Sequence, residues 1–126
     1  MNTKTHRSRI CAVLVDTGAQ SHEAVARFWS AALGRELDHS AQERYATLPG
    51  PHLDFMVQRV EPGHEGIHFD IETDDVDAEV ARLEKLGARR VRQVKKWWVM
   101  EDPAGHRFCV VPAQSTHWPE GAVEWP

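Results

Sequence analysis

Residues 66–88 read GIHFDIETDDVDAEVARLEKLGA, in which a strand-like pattern leads directly into a helix-like one. Polar and apolar residues alternate through IHFDIET, as they do in a strand whose two faces meet different surroundings. Asp74 or Asp75 can then cap a helix whose apolar residues recur at helical spacing until Gly87. The stretch therefore predicts a β-strand followed at once by an amphipathic α-helix.

The same order of elements occurs earlier in the chain. Arg9–Val15 is apolar and β-branched, and a helix beginning near Ser21 ends on Leu-Gly at Gly34, as the second does at Gly87. The first helix should bury a stripe made of Val25, Phe28, Trp29, Ala32 and Leu33. Three strand-like runs follow each helix, near 35–39, 44–48 and 53–60 and near 90–94, 97–101 and 107–112. A βαβββ order repeated after roughly 53 residues indicates two related modules; two unrelated α+β halves are the alternative.

Composition limits the classes of protein that this sequence fits. The 126 residues, 41% hydrophobic and 27% charged, suit one soluble globular domain. A net charge of −4 argues against a nucleic-acid partner, and no apolar run approaches the length of a membrane span. The N-terminal residues MNTKTHRSR lack the apolar region of a signal peptide, and two cysteines make no disulfide framework. A cytoplasmic location is therefore expected.

Four motifs are distinctive: the Val-Asp ending the first strand, FWSAALG, HFDIETDDVDAEVARLEKLGAR and DPAGHRFCVV. Together they resemble the vicinal oxygen chelate superfamily, which includes glyoxalase I, bleomycin-resistance proteins and extradiol dioxygenases. The block from His68 to Ala88 is especially similar to a glyoxalase-like subgroup without assigned activity. The resemblance implies an α+β fold in which two βαβββ modules form a cup-shaped open barrel with the helices outside. One domain, 1–126, would contain module one at about 9–60, module two at about 67–113 and a tail at 114–126.

Strand alternation, combined with this resemblance, predicts which side chains face the cup. The register of strand 53–60 is open, although its more continuous apolar face favours Asp54, Met56 and Gln58 pointing inward. Trp97 and Trp98 are adjacent, so only one of them can face the cup. The expected cup residues are Arg9, Asp54, Met56, Gln58, His68, Asp70, Glu72, Trp97 or Trp98, Arg107 and Cys109.

The resemblance also locates the metal-ligand positions of metal-dependent superfamily members. Here these positions hold Arg9, then Asp54 or Met56, then His68, then Cys109. A guanidinium offers only hydrogen-bond donors and cannot ligate a metal. The thiol stands where the superfamily usually has Glu, and a thiolate favours softer ions such as zinc. We therefore predict no metal and no other cofactor, while a divalent ion held through His68 stays the alternative.

Two functions follow from this interpretation. The first is metal-independent binding of a small aromatic or anionic molecule, with an inward tryptophan against its ring and Arg9 and Arg107 on its anionic group. The alternative is an enzyme, a lyase, isomerase or dioxygenase, that acts on a small oxygenated substrate. In that case His68 would be the catalytic residue, because an imidazole can exchange a proton near neutral pH.

The expected assembly is a homodimer. Superfamily members commonly dimerise, and the tail carries Trp118 and Trp125. Because large aromatic side chains are costly to leave in water, these two should cover either the cup mouth or a partner subunit.

Overall fold

The computed structural model describes residues 4–38 and 44–126, and their contacts fall into two compact units. One unit comprises residues 12–68. The other joins the N-terminal segment, up to Cys11, to residues 69–126. Neither helix of the described residues is long and apolar enough to cross a membrane.

The described residues contain eight strands and two helices. Module two has the predicted order of one strand, one helix and three strands. In module one, the strand predicted at 35–39 is wrong for residues 35–38, where Asp38 makes only an isolated bridge to Thr47; His39 lies outside the described residues. The elements are β1 His6–Thr17, α1 His22–Leu33, β2 Tyr45–Leu48, β3 Asp54–Arg59, β4 Gly66–Thr73, α2 Val76–Lys85, β5 Arg89–Val94, β6 Trp97–Glu101, β7 Arg107–Pro112 and β8 Val123–Trp125.

In the 12–68 unit, β3 pairs in parallel with β1 and antiparallel with β2, and α1 packs on these strands. Phe55 and Val57 of β3 belong to the core beneath α1. Because side chains alternate along a strand, the opposite face of β3 carries the three residues whose register the sequence left open. Those residues are Asp54, Met56 and Gln58.

The buried stripe of α1 differs from the predicted one. Ala26 is fully buried and Val25 and Trp29 pack around it. Of the other predicted residues, Phe28 is 62% exposed, Leu33 is 43% exposed and Ala32 is exposed as well. Two overlapping stripes at helical spacing exist in this helix, and the strands cover the one that contains Ala26. Phe28 instead rests edge-on against Trp29, with ring centroids 5.1 Å apart.

In the second unit, β4 pairs in parallel with β7, and β7, β6 and β5 are antiparallel neighbours. The Asp75 carboxylate caps α2 by accepting from the Ala78 amide at 3.1 Å, as the sequence predicted. Under α2 lies a core of Val80, Met100 and Val110, and Trp98 and Phe108 pack against it. Trp98 therefore faces the helix, and alternation puts Trp97 on the opposite face of β6.

The face of this sheet turned away from α2 is called the distal face below. Strand register aligns Asp70 with Cys109, Cys109 with Val99, and Arg107 with Glu101. The residues after His68 that were expected in the cup thus lie on the distal face. Trp98 is the exception, because it lies on the face that packs against α2. The distal face carries Asp70, Glu72, Arg89, Arg92, Trp97, Val99, Glu101, Arg107, Cys109 and Val111.

The tail forms a strand that the sequence did not predict. β8 pairs antiparallel with the beginning of β1, and the Trp125 indole donates to Ser8 Oγ at 2.9 Å. The Arg82 guanidinium lies 3.7 Å from the Trp125 ring centroid, and that of Arg7 lies 5.5 Å from the Trp118 ring. Both tail tryptophans thus contact arginines of their own chain, and dimerisation stays a prediction.

Candidate functional site

His68 is held by a carboxylate from β1. Its Nδ1 lies 2.5 Å from Asp16 Oδ2, and the two side chains are only 13% and 11% exposed. A carboxylate at Nδ1 fixes the orientation of the imidazole and stabilises its protonated form. The sequence showed Asp16 only as the last residue of a Val-Asp motif. The pairing was missed because 52 residues separate the two positions.

The second oxygen of Asp16 is unusual. Asp16 Oδ1 is buried and has no hydrogen-bond partner among residues 4–38 and 44–126. A buried carboxylate oxygen without a donor is costly, so the hydrogen bond with His68 is the main contact that offsets the burial of Asp16. Asp16 also borders a cleft of about 990 Å³, whose other charged lining residues are Arg44, Arg59, Glu61 and Glu65. Asp16, the partner of His68, thus lies at the edge of this cleft.

Arg9, expected to bind a ligand anion, is engaged by Glu72. Its Nη1 donates to Glu72 Oε2 at 2.7 Å and to Ser115 Oγ at 3.2 Å, with side chains of Arg9 and Glu72 that are 7% and 0% exposed. Glu72 also accepts from the amides of Gln114 and Ser115, each at 2.8 Å. Burial alone would raise the pKa of Glu72, but the hydrogen bonds from Ser115, Gln114 and Arg9 outweigh it and hold this pKa below its usual value.

The superfamily's metal-ligand positions do not fit a metal in the usual way. The first position holds the Arg9 guanidinium, which cannot ligate and is bound to Glu72. Asp70 and Cys109 are neighbours across β4 and β7, and His68 precedes Asp70 by two residues on the same face of β4. Nitrogen, oxygen and sulfur donors of these kinds suit zinc better than magnesium or calcium. The absence of a metal stays a prediction, which rests on Arg9 at the first of the positions that the resemblance implies.

The remaining expected residues are distributed as follows. Gln58 donates to the Tyr45 hydroxyl at 3.3 Å, and Asp54 and Met56 share its face of β3. Trp97 is half-buried on the distal face, where Arg107 is exposed. Sequence reasoning missed Asp16 and Ser115, and no local pattern marks Ser115, which lies in the tail.

The sequence is similar to one described protein family over most of its length. A family model described as a glyoxalase-like domain matches residues 12–111. Comparison with proteins of curated function found no match.

Solved structures with similar backbones are distant in sequence. A hypothetical protein from Bacillus halodurans C-125 superimposes with a TM-score of 0.63 at 12% identity, over 86% of this chain and 96% of that one. A glyoxalase/bleomycin resistance protein/dioxygenase superfamily member from Vibrio splendidus 12B01 gives 0.51 at 15% identity, over 82% and 98%. A mutant of 4-hydroxymandelate synthase from Streptomyces coelicolor gives 0.54 at 14%, over 86% and 50%. Identities this low show the fold alone, and they confirm the predicted fold class.

Proposed function

The chain belongs to the glyoxalase-like domain family of the vicinal oxygen chelate superfamily, and on that premise we propose that it binds a small organic molecule without the superfamily's usual metal. The observation that carries the proposal is the Arg9–Glu72 ion pair. The resemblance implies that Arg9, whose permanently charged guanidinium cannot ligate a metal, stands at the first metal position, and the ion pair also occupies the carboxylate of Glu72. A cytoplasmic location remains part of the proposal.

The distal face has the mixed character of a small-molecule site. Val99 and Cys109 provide an apolar floor, Trp97 offers an aromatic surface, and Asp70 supplies a polar group. Such sites combine apolar contact area with a few polar groups that orient the ligand. The roles of Asp54, Met56 and Gln58 on β3 stay predictions from the sequence.

The test uses protein freed of divalent ions by chelator and dialysis. A diverse panel of neutral, anionic and cationic aromatic compounds is screened by thermal shift, and each hit is measured by calorimetry. We expect at least one compound to bind without added metal, and Trp97→Ala to weaken it by about tenfold or more. Trp118→Ala, a matched change in the tail, should leave the affinity unchanged. Binding that requires an added divalent ion would overturn the proposal.

The Asp16–His68 pair favours a second candidate, an enzyme that moves a proton. His68 would accept a proton from a carbon or oxygen of the bound substrate, and Asp16 would stabilise the resulting imidazolium. Each compound that binds is incubated with the protein in D₂O, and deuterium uptake is followed by NMR. Exchange that disappears in His68→Gln while binding persists supports the enzyme. Equal exchange in both proteins excludes a role for His68.

We retain the homodimer as a proposal. Phe28 and Leu33 leave apolar surface exposed on α1, which a second copy of the chain could cover. Light scattering across the micromolar range should give twice the monomer mass of 14.3 kDa. A constant monomer mass would contradict it.

A further inference from the structure

Two arginines on the distal face have no side-chain partner. Arg92 on β5 lies opposite Val99, and Arg107 on β7 lies opposite Glu101; both are exposed. Within the described parts of the chain, neither guanidinium makes a hydrogen bond or ion pair. Their charges are therefore available to a ligand.

The other charged side chains of this face are largely neutralised in pairs. Arg9 is bound to Glu72 at 2.7 Å, and Arg89 donates to Glu101 at 2.9 Å. Glu101 is thus engaged by Arg89, although it also lies opposite Arg107 in the sheet register. Glu72 and Glu101 thus each have an arginine, whereas Arg92 and Arg107 make no ion pair with any of the described residues. These two cations favour an anionic ligand over a cationic one.

Trp97 lies close to one of these cations. Trp97 faces Val94 across the β5–β6 hairpin, and Arg92 faces Val99, two residues further along β6. Trp97 and Arg92 are therefore diagonal neighbours on one face, at a separation that long side chains can span. Nothing in the described structure stacks on Trp97, which is half-buried. An aromatic surface and an unpaired cation thus lie side by side.

We propose that the ligand is a small aromatic carboxylate, with its ring against Trp97 and its carboxylate on Arg92. This inference rests on the proposed function and specifies the ligand class. A guanidinium can donate two parallel hydrogen bonds to a carboxylate, and an indole face suits an aromatic ring. Arg107 adds positive charge to the same surface and strengthens the attraction for the anion.

The general basicity of β5 does not account for this arrangement. Edge strands often carry charged residues that prevent pairing with other chains, and Lys95 and Lys96 in the hairpin turn fit that purpose. Arg90 projects to the opposite face, where it pairs with Glu84 and lies 4.9 Å from the Trp98 ring centroid. Arg92 lies neither in the hairpin turn nor on the face that carries Arg90. It lies on the distal face, diagonal to Trp97.

The test compares three probes on metal-free protein by calorimetry: benzoate, benzamide and cyclohexanecarboxylate. Benzoate should bind at least tenfold more tightly than benzamide and several-fold more tightly than cyclohexanecarboxylate. Arg92→Gln should weaken benzoate about tenfold and leave benzamide unchanged. Lys96→Gln removes the same charge from the neighbouring turn and should have little effect. Circular dichroism confirms that each variant is folded.

The outcomes separate this inference from the proposed function. Equal affinities for benzoate and benzamide, or equal losses in Arg92→Gln and Lys96→Gln, would overturn the carboxylate assignment. If a neutral or cationic compound of the wider panel binds in a Trp97-dependent way while all carboxylates fail, the ligand class is wrong and the binding function stands. If no compound of the panel binds, both are overturned.

Discussion

Glu72 and Asp16 are both largely buried acidic side chains beside a basic partner, but they differ in how completely their oxygens are satisfied. Glu72 receives hydrogen bonds from Arg9, the Gln114 amide, and the amide and hydroxyl of Ser115, which together serve both of its oxygens. Asp16 has His68 on one oxygen and no partner on the other among the described residues. The first arrangement costs little and holds β1, β4 and the tail together.

The two pairs also differ in the chemistry of the basic partner. Arg9 stays protonated under all ordinary conditions, so its pair with Glu72 is fixed. An imidazole, unlike a guanidinium, can gain and lose a proton, so the charge of the Asp16–His68 pair is not fixed in the same way. An incompletely satisfied pair that can change its protonation is a common property of functional sites.

The largest expected effect comes from removing the partner of Glu72. Arg9→Met leaves a buried carboxylate without its cation and should lower the free energy of unfolding by about 3–5 kcal/mol. Urea denaturation measures this change. Arg7→Met is the control, because its pair with Asp74 is partly exposed, and should cost about 1 kcal/mol or less. A loss below about 1 kcal/mol in Arg9→Met would mean that the Arg9–Glu72 pair contributes little to the stability of the fold.

Acid should act mainly through the satisfied carboxylates. The pKa of Glu79 is lowered as well, because hydrogen bonds from Arg82, His6 and Ser8 outweigh the effect of burial. A carboxylate whose folded pKa is lowered contributes stability above its unfolded pKa, near 4.5, and loses it as pH falls through the folded value. We expect the free energy of unfolding to fall below about pH 4.5, and less steeply in Glu72→Gln. An unchanged slope in that variant would contradict the prediction.

A smaller effect on stability is expected at Asp16. Asp16→Asn removes a charge whose second oxygen is unsatisfied, so the loss should be about 1 kcal/mol. The variant should change proton binding more than folding: His68 should keep its proton to higher pH in the wild type than in Asp16→Asn. An NMR titration of the His68 ring protons measures this. Identical titrations would show that Asp16 does not stabilise the charged imidazole.

The smallest expected effect is that of divalent metals on the wild type. Protein purified without chelator should contain far less than one equivalent of metal, measured by elemental analysis. Arg9→His should increase zinc affinity more than any change at Asp70 or Glu72, because it replaces a cation by a ligand at the first position. Near one equivalent of metal in the wild type, lost in His68→Ala, would give the Asp16–His68 pair a metal-binding role instead.

Local sequence patterns predicted the elements of module two well. Alternation in IHFDIET, the Asp75 cap and the apolar spacing of α2 act over a few residues, and the structure confirms them. The same patterns failed in α1, where two different sets of residues at helical spacing could each form the buried stripe. The stripe through Phe28 and the stripe through Ala26 both fit a helix, and only the strands beneath α1 select one.

Contacts between distant residues were beyond the sequence patterns. Asp16 and His68 are 52 positions apart, and Glu72 and Ser115 are 43 apart. Neither pairing leaves a local periodicity, because the fold alone brings the partners together. The resemblance to the superfamily predicted Arg9 and His68 in the cup but could not say that Glu72 would bind the Arg9 guanidinium.

The β1–β8 pairing has a consequence for the order in which the protein is made. Trp125 and Ser8 are 117 positions apart, so β1 leaves the ribosome long before its β8 partner has been made. Closing so long a loop costs only about 2 kcal/mol more than closing a ten-residue one. The greater hazard is the exposed strand edge, which can pair with neighbouring nascent chains until residues 123–125 emerge. Crowded polysomes should therefore favour aggregation at His6–Ser8 whenever synthesis stalls before β8.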